Sequence, residues 1–221
     1  VEFMLNKGVN ETIIILLLTL PIIATIVSIT RHFVGIKSFG VLTPVLLSIA
    51  YSMISDDIMT SLIYGLSITM GVILISYVSQ YFIDVNKSKI FRMHYLPKLG
   101  IILTLVCIFF FIMILLAATL DKSFAHRIDP FPLVLIITLG ESFITKSFKK
   151  GFRTGIGITL ETVLLAVIGF LLIEFKPLQD NLLLRPELVL ITIPVNFLVG
   201  KYAGLRLREL IRFSDIQDEE E

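Results

Sequence analysis

Long apolar runs, separated by short polar segments, dominate this chain. A helix of about 20 apolar residues spans the hydrocarbon core of a bilayer, and the spacing of the runs predicts seven such helices joined by short loops. The predicted helices cover 13–30, 41–53, 58–83, 96–120, a fifth that opens at Phe131, 156–175 and 187–203. The predicted fold class is therefore all-α, a polytopic membrane bundle of seven transmembrane helices.

Proline and aspartate interrupt this pattern at three places. Pro21 lies inside the first apolar run and predicts a kink, because neighbouring helices can satisfy the freed carbonyl. The second run is short and contains Thr43-Pro44, which leaves a tilted, broken or re-entrant helix open. Asp57 directly precedes the third run and is predicted to be its N-cap. Residues 176–186 are polar and are predicted to form a loop.

Two segments of the chain resemble each other. Residues 35–47 and 151–165 both begin with a glycine, an apolar residue, a cation and a hydroxyl residue: Gly35-Ile36-Lys37-Ser38 and Gly151-Phe152-Arg153-Thr154. Both segments lead into a predicted helix. This favours a 3+1+3 parallel repeat, with the fourth helix as a linker, a design that occurs in transporters. The match is short and gapped, so a chance similarity stays open. The fourth run is apolar on every face, which is typical of a lipid-facing or central helix.

Composition identifies lipid as the solvent for most of the chain. Apolar residues make up 56% and charged residues only 17%, which excludes a soluble domain. The loops after helices one, three and five and the C-terminal tail hold two, four, four and four of the 19 Lys and Arg residues. The positive-inside rule therefore places the N-terminus outside and the C-terminus in the cytoplasm.

The chain is predicted to divide into three parts: an extracytoplasmic lead-in, 1–12, a seven-transmembrane domain, 13–210, and an acidic cytoplasmic tail, 211–221. The start at Val1, without a cationic segment, indicates a module cut from a longer protein.

Catalytic and metal chemistry find little support. The chain has a single cysteine, Cys107, and this excludes an intrachain disulfide. Cys107 lies in an apolar run and is predicted to be a packed, unexposed side chain. The three histidines at 32, 94 and 126 are scattered near helix ends, so no metal site is predicted. No motif for a nucleophile or a base is present. We therefore predict no enzyme activity, no cofactor and no nucleic-acid partner.

Four polar residues fall inside apolar runs and form a predicted buried polar site: Glu141, Glu161, Asn196 and Thr43. Helical rise places the first three in the middle third of the membrane. Intramembrane ionisable residues usually face the bundle interior and handle a proton, an ion or a polar substrate. The alternative is structural, with Glu141 paired to Lys146, Glu161 paired to Arg153, or protonated glutamates packing helices together.

Cations near the predicted cytoplasmic ends of the helices form a predicted basic face: Arg31, Lys37, Lys149, Lys150 and Arg153. Such a face attracts an anionic ligand over long range. The alternative is that these side chains only meet anionic lipid headgroups. Gly151 and Gly155 flank this segment, where close helix packing or a flexible turn is favoured over phosphate binding.

Four stretches carry a resemblance that covers nearly the whole chain: LPIIATIVSITRHFVGIKSFGVLTPVLLSIAY, HYLPKLGIILTLV, GESFITKSFKKGFRTGIGITLETVLLAV and PVNFLVGKYAGLRLRELIRF. Together they resemble the seven-transmembrane module of bacterial proteins described as an inactive transglutaminase fused to seven transmembrane helices. The resemblance implies a transglutaminase-like domain outside the membrane, before the first helix. It also implies genes for ATP-grasp peptide ligases, which add glutamate-type residues, as typical neighbours.

A more distant resemblance concerns RHFVGIKSFGVLTPVLL and the glycine-rich turn before TLETVLL. Both are similar to the small membrane protein C of poly-γ-glutamate synthesis. The positions that match the two families are Arg31, Gly35, Lys37, Gly40, Pro44, Glu141, Gly155, Glu161 and Thr162. The resemblances assign these positions no individual role. They imply a membrane partner for the synthesis or export of an amino-acid polymer.

Three functions remain open from the sequence. The leading hypothesis is a non-enzymatic subunit of the bacterial inner membrane that works with a cytoplasmic ligase and guides a glutamyl chain. The second is a signalling module that relays the state of the outer domain, and the third is a proton-coupled transporter of small solutes. Lipid is the one partner that composition itself requires, and the sequence leaves oligomerisation open.

Overall fold

The computed structural model describes residues 4, 7–55, 57–85, 95–120, 130–150 and 152–201, and every regular element in these ranges is helical. In chain order the helices are α1 Glu11–Ile29, α2 Leu42–Ser52, α3 Ile58–Val85, α4 Tyr95–Leu120, α5 Pro130–Lys150, α6 Phe152–Ile173, α7 Lys176–Leu184 and α8 Thr192–Lys201. A π-helical turn at Thr30–Val34 continues α1, and a 3₁₀ turn at Pro186–Ile191 precedes α8. The prediction of an all-α membrane bundle is confirmed.

For the first six helices, each predicted bound lies within four residues of the corresponding bound of α1 to α6. Pro21 lies inside α1 without ending it, because the helix runs on to Ile29. The prediction fails after α6. Residues 176–184 form α7 instead of a loop, and Pro177 at its first turn suits a helix start because proline lacks the N–H that would be unpaired there. The seventh run is likewise broken, with a 3₁₀ turn before α8.

Helix length separates the membrane-spanning elements from shorter ones. Among the described residues, the ranges Glu11–Val34, Ile58–Ser79 and Thr154–Ile173 are long and apolar enough to cross a bilayer. The pair Lys176–Leu184 and Pro186–Lys201, bent by 101°, makes a fourth if it counts as one span. Helix α2 has 11 residues and rises about 16 Å, half of a core about 30 Å thick. It therefore reaches only part of the way across.

Local side-chain chemistry fixes the helix starts. The side chain of Asn10 accepts the backbone N–H of Thr12 and caps α1. Asp57 Oδ2 accepts the backbone N–H of Thr60 at 2.9 Å and its hydroxyl at 2.6 Å. The prediction that Asp57 caps α3 is confirmed. These hydrogen bonds, from the Thr60 side chain first and its backbone second, hold the pKa of Asp57 below its usual value.

The chain divides into two compact units, and the boundaries fall within α2 and α6. Unit 1 comprises 1–48 and 161–221, and unit 2 comprises 49–160. In unit 1, α1 packs against α7, the 3₁₀ turn and α8. Its buried side chains include Ile23, Val27, Leu47 and Phe170. This core holds the first part of α2 and the second part of α6, which carry the site described below.

Unit 2 is built around α3, which packs against α4 and α5. Glycines permit the closest approaches, as is usual in membrane bundles. A β-carbon at Gly65 would lie 2.5 Å from the ring of Tyr51, and one at Gly140 would lie 2.7 Å from Val72. The Tyr51 hydroxyl and Thr69 Oγ1, both buried, are hydrogen-bonded at 2.9 Å. Apolar side chains of the same three helices are buried in this core, among them Val72, Val106 and Ile136.

Helix α4 exposes much of its apolar surface, including Leu103, Ile108 and Phe111. This agrees with the predicted lipid-facing helix. The prediction for Cys107 is wrong, because its side chain is exposed on α4 and not packed inside. A helix that is apolar all round carries no periodic signal, so the sequence could not indicate which face is covered.

The two segments of the predicted repeat differ in conformation. Residues 35–40 are irregular, whereas residues 152–165 lie within α6. The repeat itself stays a prediction.

Candidate functional site

An irregular loop, residues 35–41, joins the end of the π-helical turn to α2. Gly35 has a φ of 82° and donates its N–H to the carbonyl of Thr30 at 3.1 Å, which closes the turn. Gly40 has a φ of 96°. Both values fall in the left-handed region that favours glycine. The two glycines therefore set the course of the loop, one at its start and one near its end.

Two backbone N–H groups of this loop are held by neighbouring residues of α6. The N–H of Lys37 donates to Glu161 Oε2, and the N–H of Phe39 donates to Thr162 Oγ1 at 3.2 Å. We call this set, Lys37, Phe39, Glu161 and Thr162, the loop clasp.

A further contact supports the loop clasp one turn along α6. The hydroxyl of Ser48 on α2 lies 2.9 Å from the carbonyl of Ala166 and 2.8 Å from that of Pro44. Gly169 then lets the helices approach, because a β-carbon there would lie 2.9 Å from Ile23 Cγ2. Thr162, Ala166 and Gly169 follow the spacing of one helix face. That face joins α6 to α1 and to the start of α2.

Burial divides the loop into an anchored side and an open side. Ser38 and Phe39 are 6% and 8% exposed, and Thr162 is fully buried. The side chains of Arg31 and Lys37 are exposed. Glu161 is half-buried. The loop and the π-helical turn before it therefore each present one cation outward, Lys37 and Arg31, while the backbone of the loop is fixed to α6.

The predicted buried polar site is distributed differently from the prediction. Thr43 is half-buried and donates its hydroxyl to the carbonyl of Phe39 at 3.1 Å, so it supports the loop from the other side. Asn196 donates from Nδ2 to Thr25 Oγ1 at 2.7 Å, which joins α8 to α1. The side chains of Asn196 and Glu141 are exposed, where the sequence predicts burial. Glu141 belongs to unit 2 and the other three to unit 1.

The structure thus brings Glu161 and Thr43 to one loop, and the grouping of all four residues as one site stays a prediction. The side chains of Lys146, Lys149, Lys150 and Arg153 lie outside the described part of the chain. The two predicted ion pairs, Glu141 with Lys146 and Glu161 with Arg153, fall there as well. Of the predicted basic face, the structure describes Arg31 and Lys37.

Sequence reasoning did not find the roles of Ser48, Phe39 and the Lys37 backbone. The donor and acceptor of the longest-range bond in the loop clasp are 124 residues apart, and no spacing rule reaches that far. One signal was present: a glycine-bounded segment has no helix partners for its N–H groups, which must be satisfied elsewhere. Within the described ranges, no three His, Cys, Asp or Glu side chains cluster as metal ligands would. What the loop clasp can do is hold a cationic loop in one position.

Comparison with known proteins places this chain in a family. No curated protein and no solved structure matches it. A family model described as seven transmembrane helices usually fused to an inactive transglutaminase matches residues 5–217, nearly the whole length. This confirms the first resemblance, whereas that to poly-γ-glutamate protein C stays a prediction. The chain is a multi-pass membrane module and belongs to the family of seven transmembrane helices usually fused to an inactive transglutaminase.

Proposed function

We propose that this module is a non-enzymatic subunit of the bacterial plasma membrane that works with a cytoplasmic ATP-grasp ligase in making or exporting a glutamyl chain. The observation that carries the proposal is the loop clasp. It fixes the backbone of residues 37 and 39 to α6 and leaves the Arg31 and Lys37 side chains exposed. One cation on this anchored loop and one on the turn before it make a surface that attracts polyanions.

The loop clasp also answers an electrostatic objection. A carboxylate beside an anionic chain repels it, and Glu161 lies close to the loop that would bind the chain. The N–H of Lys37 points at the Glu161 carboxylate, so part of its charge is compensated within the protein. The Arg31 and Lys37 side chains outnumber this one carboxylate, so the net charge of the three groups is positive. In the orientation predicted from the distribution of cations, this surface faces the cytoplasm, where a ligase would work.

The test is affinity purification of the full-length protein from its native membrane in mild detergent, with mass spectrometry of co-eluting material. The wild type should retain an ATP-grasp ligase or an acidic peptide polymer. The double variant Arg31→Glu, Lys37→Glu should lose it, because the surface charge is reversed. Lys176→Glu is the matched control, since Lys176 is also an exposed cation but lies on the predicted outer side.

Three outcomes of this purification count against the proposal. They are retention by the double variant, equal loss in the control, and a wild type that elutes with neither ligase nor polymer.

A second function, signalling, is favoured by the path of α1. With its π-helical turn, α1 runs without a break from Glu11 to Val34 and ends directly at the loop. Members of the family usually carry an inactive transglutaminase, which the family resemblance places before α1. A shift of that domain along the axis of α1 would move the loop. Inserting three residues before Glu11 tests this function. If α1 relays a shift of the outer domain, the insertion abolishes the signalling response to that domain, whereas co-elution of the ligase is unchanged.

A further inference from the structure

Helix α7 lies at the end of unit 1 where α1 begins. The loop after α1 meets Glu161 early in α6, whereas Ile23, inside α1, lies against Gly169 further along α6. The two helices therefore run antiparallel, and α6 ends at Ile173 on the side where α1 begins. Gln179 donates from Nε2 to the carbonyl of Ile173 at 2.6 Å, which holds α7 on the end of α6. Helix α7 also packs against α1.

The direction of α7 differs from that of its neighbours. The segment Pro186–Lys201 follows α7 at a bend of 101°. Both parts of this segment, the 3₁₀ turn and α8, pack against α1. A helix at nearly a right angle to this pair lies across its end, so α7 covers the end of unit 1 at the start of α1.

The outward face of α7 mixes apolar and polar side chains. Leu182 faces inward and is 1% exposed, whereas Asp180, Asn181 and Leu184 are exposed. We call these three exposed residues the cap face. Leu184 is 79% exposed, more than any other large apolar side chain that the structure describes, and Asp180 lies one turn from it on the same stripe. A helix that rests on lipid separates apolar from polar side chains, whereas protein interfaces combine them, so the cap face suits a protein.

The chain enters α1 through a short joint. The carbonyl of Met4 accepts the N–H groups of Lys7 and Val9, both at 3.1 Å. Gly8 has a φ of 84°, in the left-handed region that favours glycine, and Asn10 caps α1. A hydrogen-bonded joint is stiffer than a flexible linker, so what precedes it is held close to the start of α1, where α7 lies.

A domain held in this way needs only a small surface on which to dock. A short tether gives the domain an effective concentration of about 1 mM, so weak contacts suffice. Members of the family usually carry an inactive transglutaminase, which the family resemblance places before α1.

We infer that the cap face is the docking surface for this domain. Leu184 packs against an apolar patch of the domain, and Asp180 and Asn181 form hydrogen bonds at the polar rim. This inference concerns the opposite end of α1 from the loop clasp and does not depend on the proposed function.

The test is photo-crosslinking of the full-length protein in its native membrane, followed by mass spectrometry of the cross-linked peptides. The photoreactive amino acid p-benzoylphenylalanine replaces Leu184 in one variant and Leu17 in a control. Leu17 is 68% exposed, but it lies inside α1, in a range long and apolar enough to cross a bilayer. Residue 184 should give about tenfold more cross-links to the preceding domain than residue 17, because a docked domain is in van der Waals contact with α7.

A second pair of variants separates docking from the proximity that the joint alone imposes. With the photoreactive residue at position 181, Leu184→Asp should reduce the cross-links to the domain about tenfold, whereas Leu184→Met keeps the apolar surface and should retain them. Cross-links from residue 184 only to lipid, to other segments of this chain or to another protein would overturn the inference. So would cross-links that Leu184→Asp leaves unchanged, or a full-length protein without such a domain.

Discussion

Gly169 lies on the face of α6 that meets α1 and α2, and its replacement by alanine tests the packing of unit 1. The added β-carbon would lie 2.9 Å from Ile23 Cγ2 and 3.0 Å from Ser48 Cβ, and closer still to Ser48 Oγ. Ile23 and Ser48 are themselves buried, so neither can move into free space. Overpacking of this kind costs about 1–3 kcal/mol. Displacing the Ser48 hydroxyl from the Ala166 carbonyl adds about 1 kcal/mol.

We therefore expect Gly169→Ala to lower the free energy of unfolding by about 2–4 kcal/mol. For a chain of this size, each kcal/mol shifts the unfolding midpoint by about 2–4 °C, so the midpoint in detergent should fall by about 4–16 °C. Gly157→Ala is the control on the same helix. No heavy atom lies within 4 Å of its added β-carbon, and alanine favours a helix over glycine. Its midpoint should stay level or rise.

A double variant sharpens this test. Ser48→Ala removes the closest atom but leaves the β-carbon of residue 48 in place, so in the Gly169→Ala background it should recover part of the lost stability. The coupling between the two positions follows from a double-mutant cycle. Equal unfolding midpoints for Gly169→Ala and Gly157→Ala, or strictly additive effects with Ser48→Ala, would refute the packing described for unit 1.

Three further predictions concern hydrogen bonds. Glu161→Ala should cost about 1.5–3 kcal/mol and increase proteolysis of the 35–41 loop, whereas Glu161→Gln, which still accepts the Lys37 N–H, should keep most of the stability and activity. Equal loss in both variants would contradict this role. The lowered pKa of Asp57 stabilises the fold above its unfolded pKa of about 3.9, and this contribution is lost as pH falls through the lower folded value. The difference in unfolding midpoint between wild type and Asp57→Asn should therefore shrink below about pH 4; a constant difference would argue against it. Asn196→Leu should lower the unfolding midpoint, since it removes the bond to Thr25, and Thr25→Val should add little to it.

The sequence predicted the helices well because their signal is local. An apolar run of membrane length ends where charge begins, and Asp57 marks the start of α3 by its own chemistry. Helix α7 was missed because it lacks this signal. It is nine residues long, with a proline and four polar residues beside four leucines, so its first part resembles a loop.

The loop clasp could be predicted only in part. A buried carboxylate in the sixth run indicated that Glu161 has a partner, but not that the partner is a backbone N–H more than 100 residues away. Glu141 shows the converse failure. Its side chain is exposed on α5, because the place of a residue in an apolar run does not indicate which face of the helix is covered.

The hydrogen bond between Ser48 and Ala166 also has a consequence for how the chain is made. Its two residues are 118 positions apart, and all of unit 2 lies between them. At about 5–20 residues per second, the ribosome needs on the order of 6–24 s to deliver the second residue after the first. During that time α1 and α2 are in the membrane with their contact surface for α6 uncovered. Unit 1 must therefore close last, after unit 2 has been inserted, and the intervening seconds are when α1 and α2 would depend most on insertion factors.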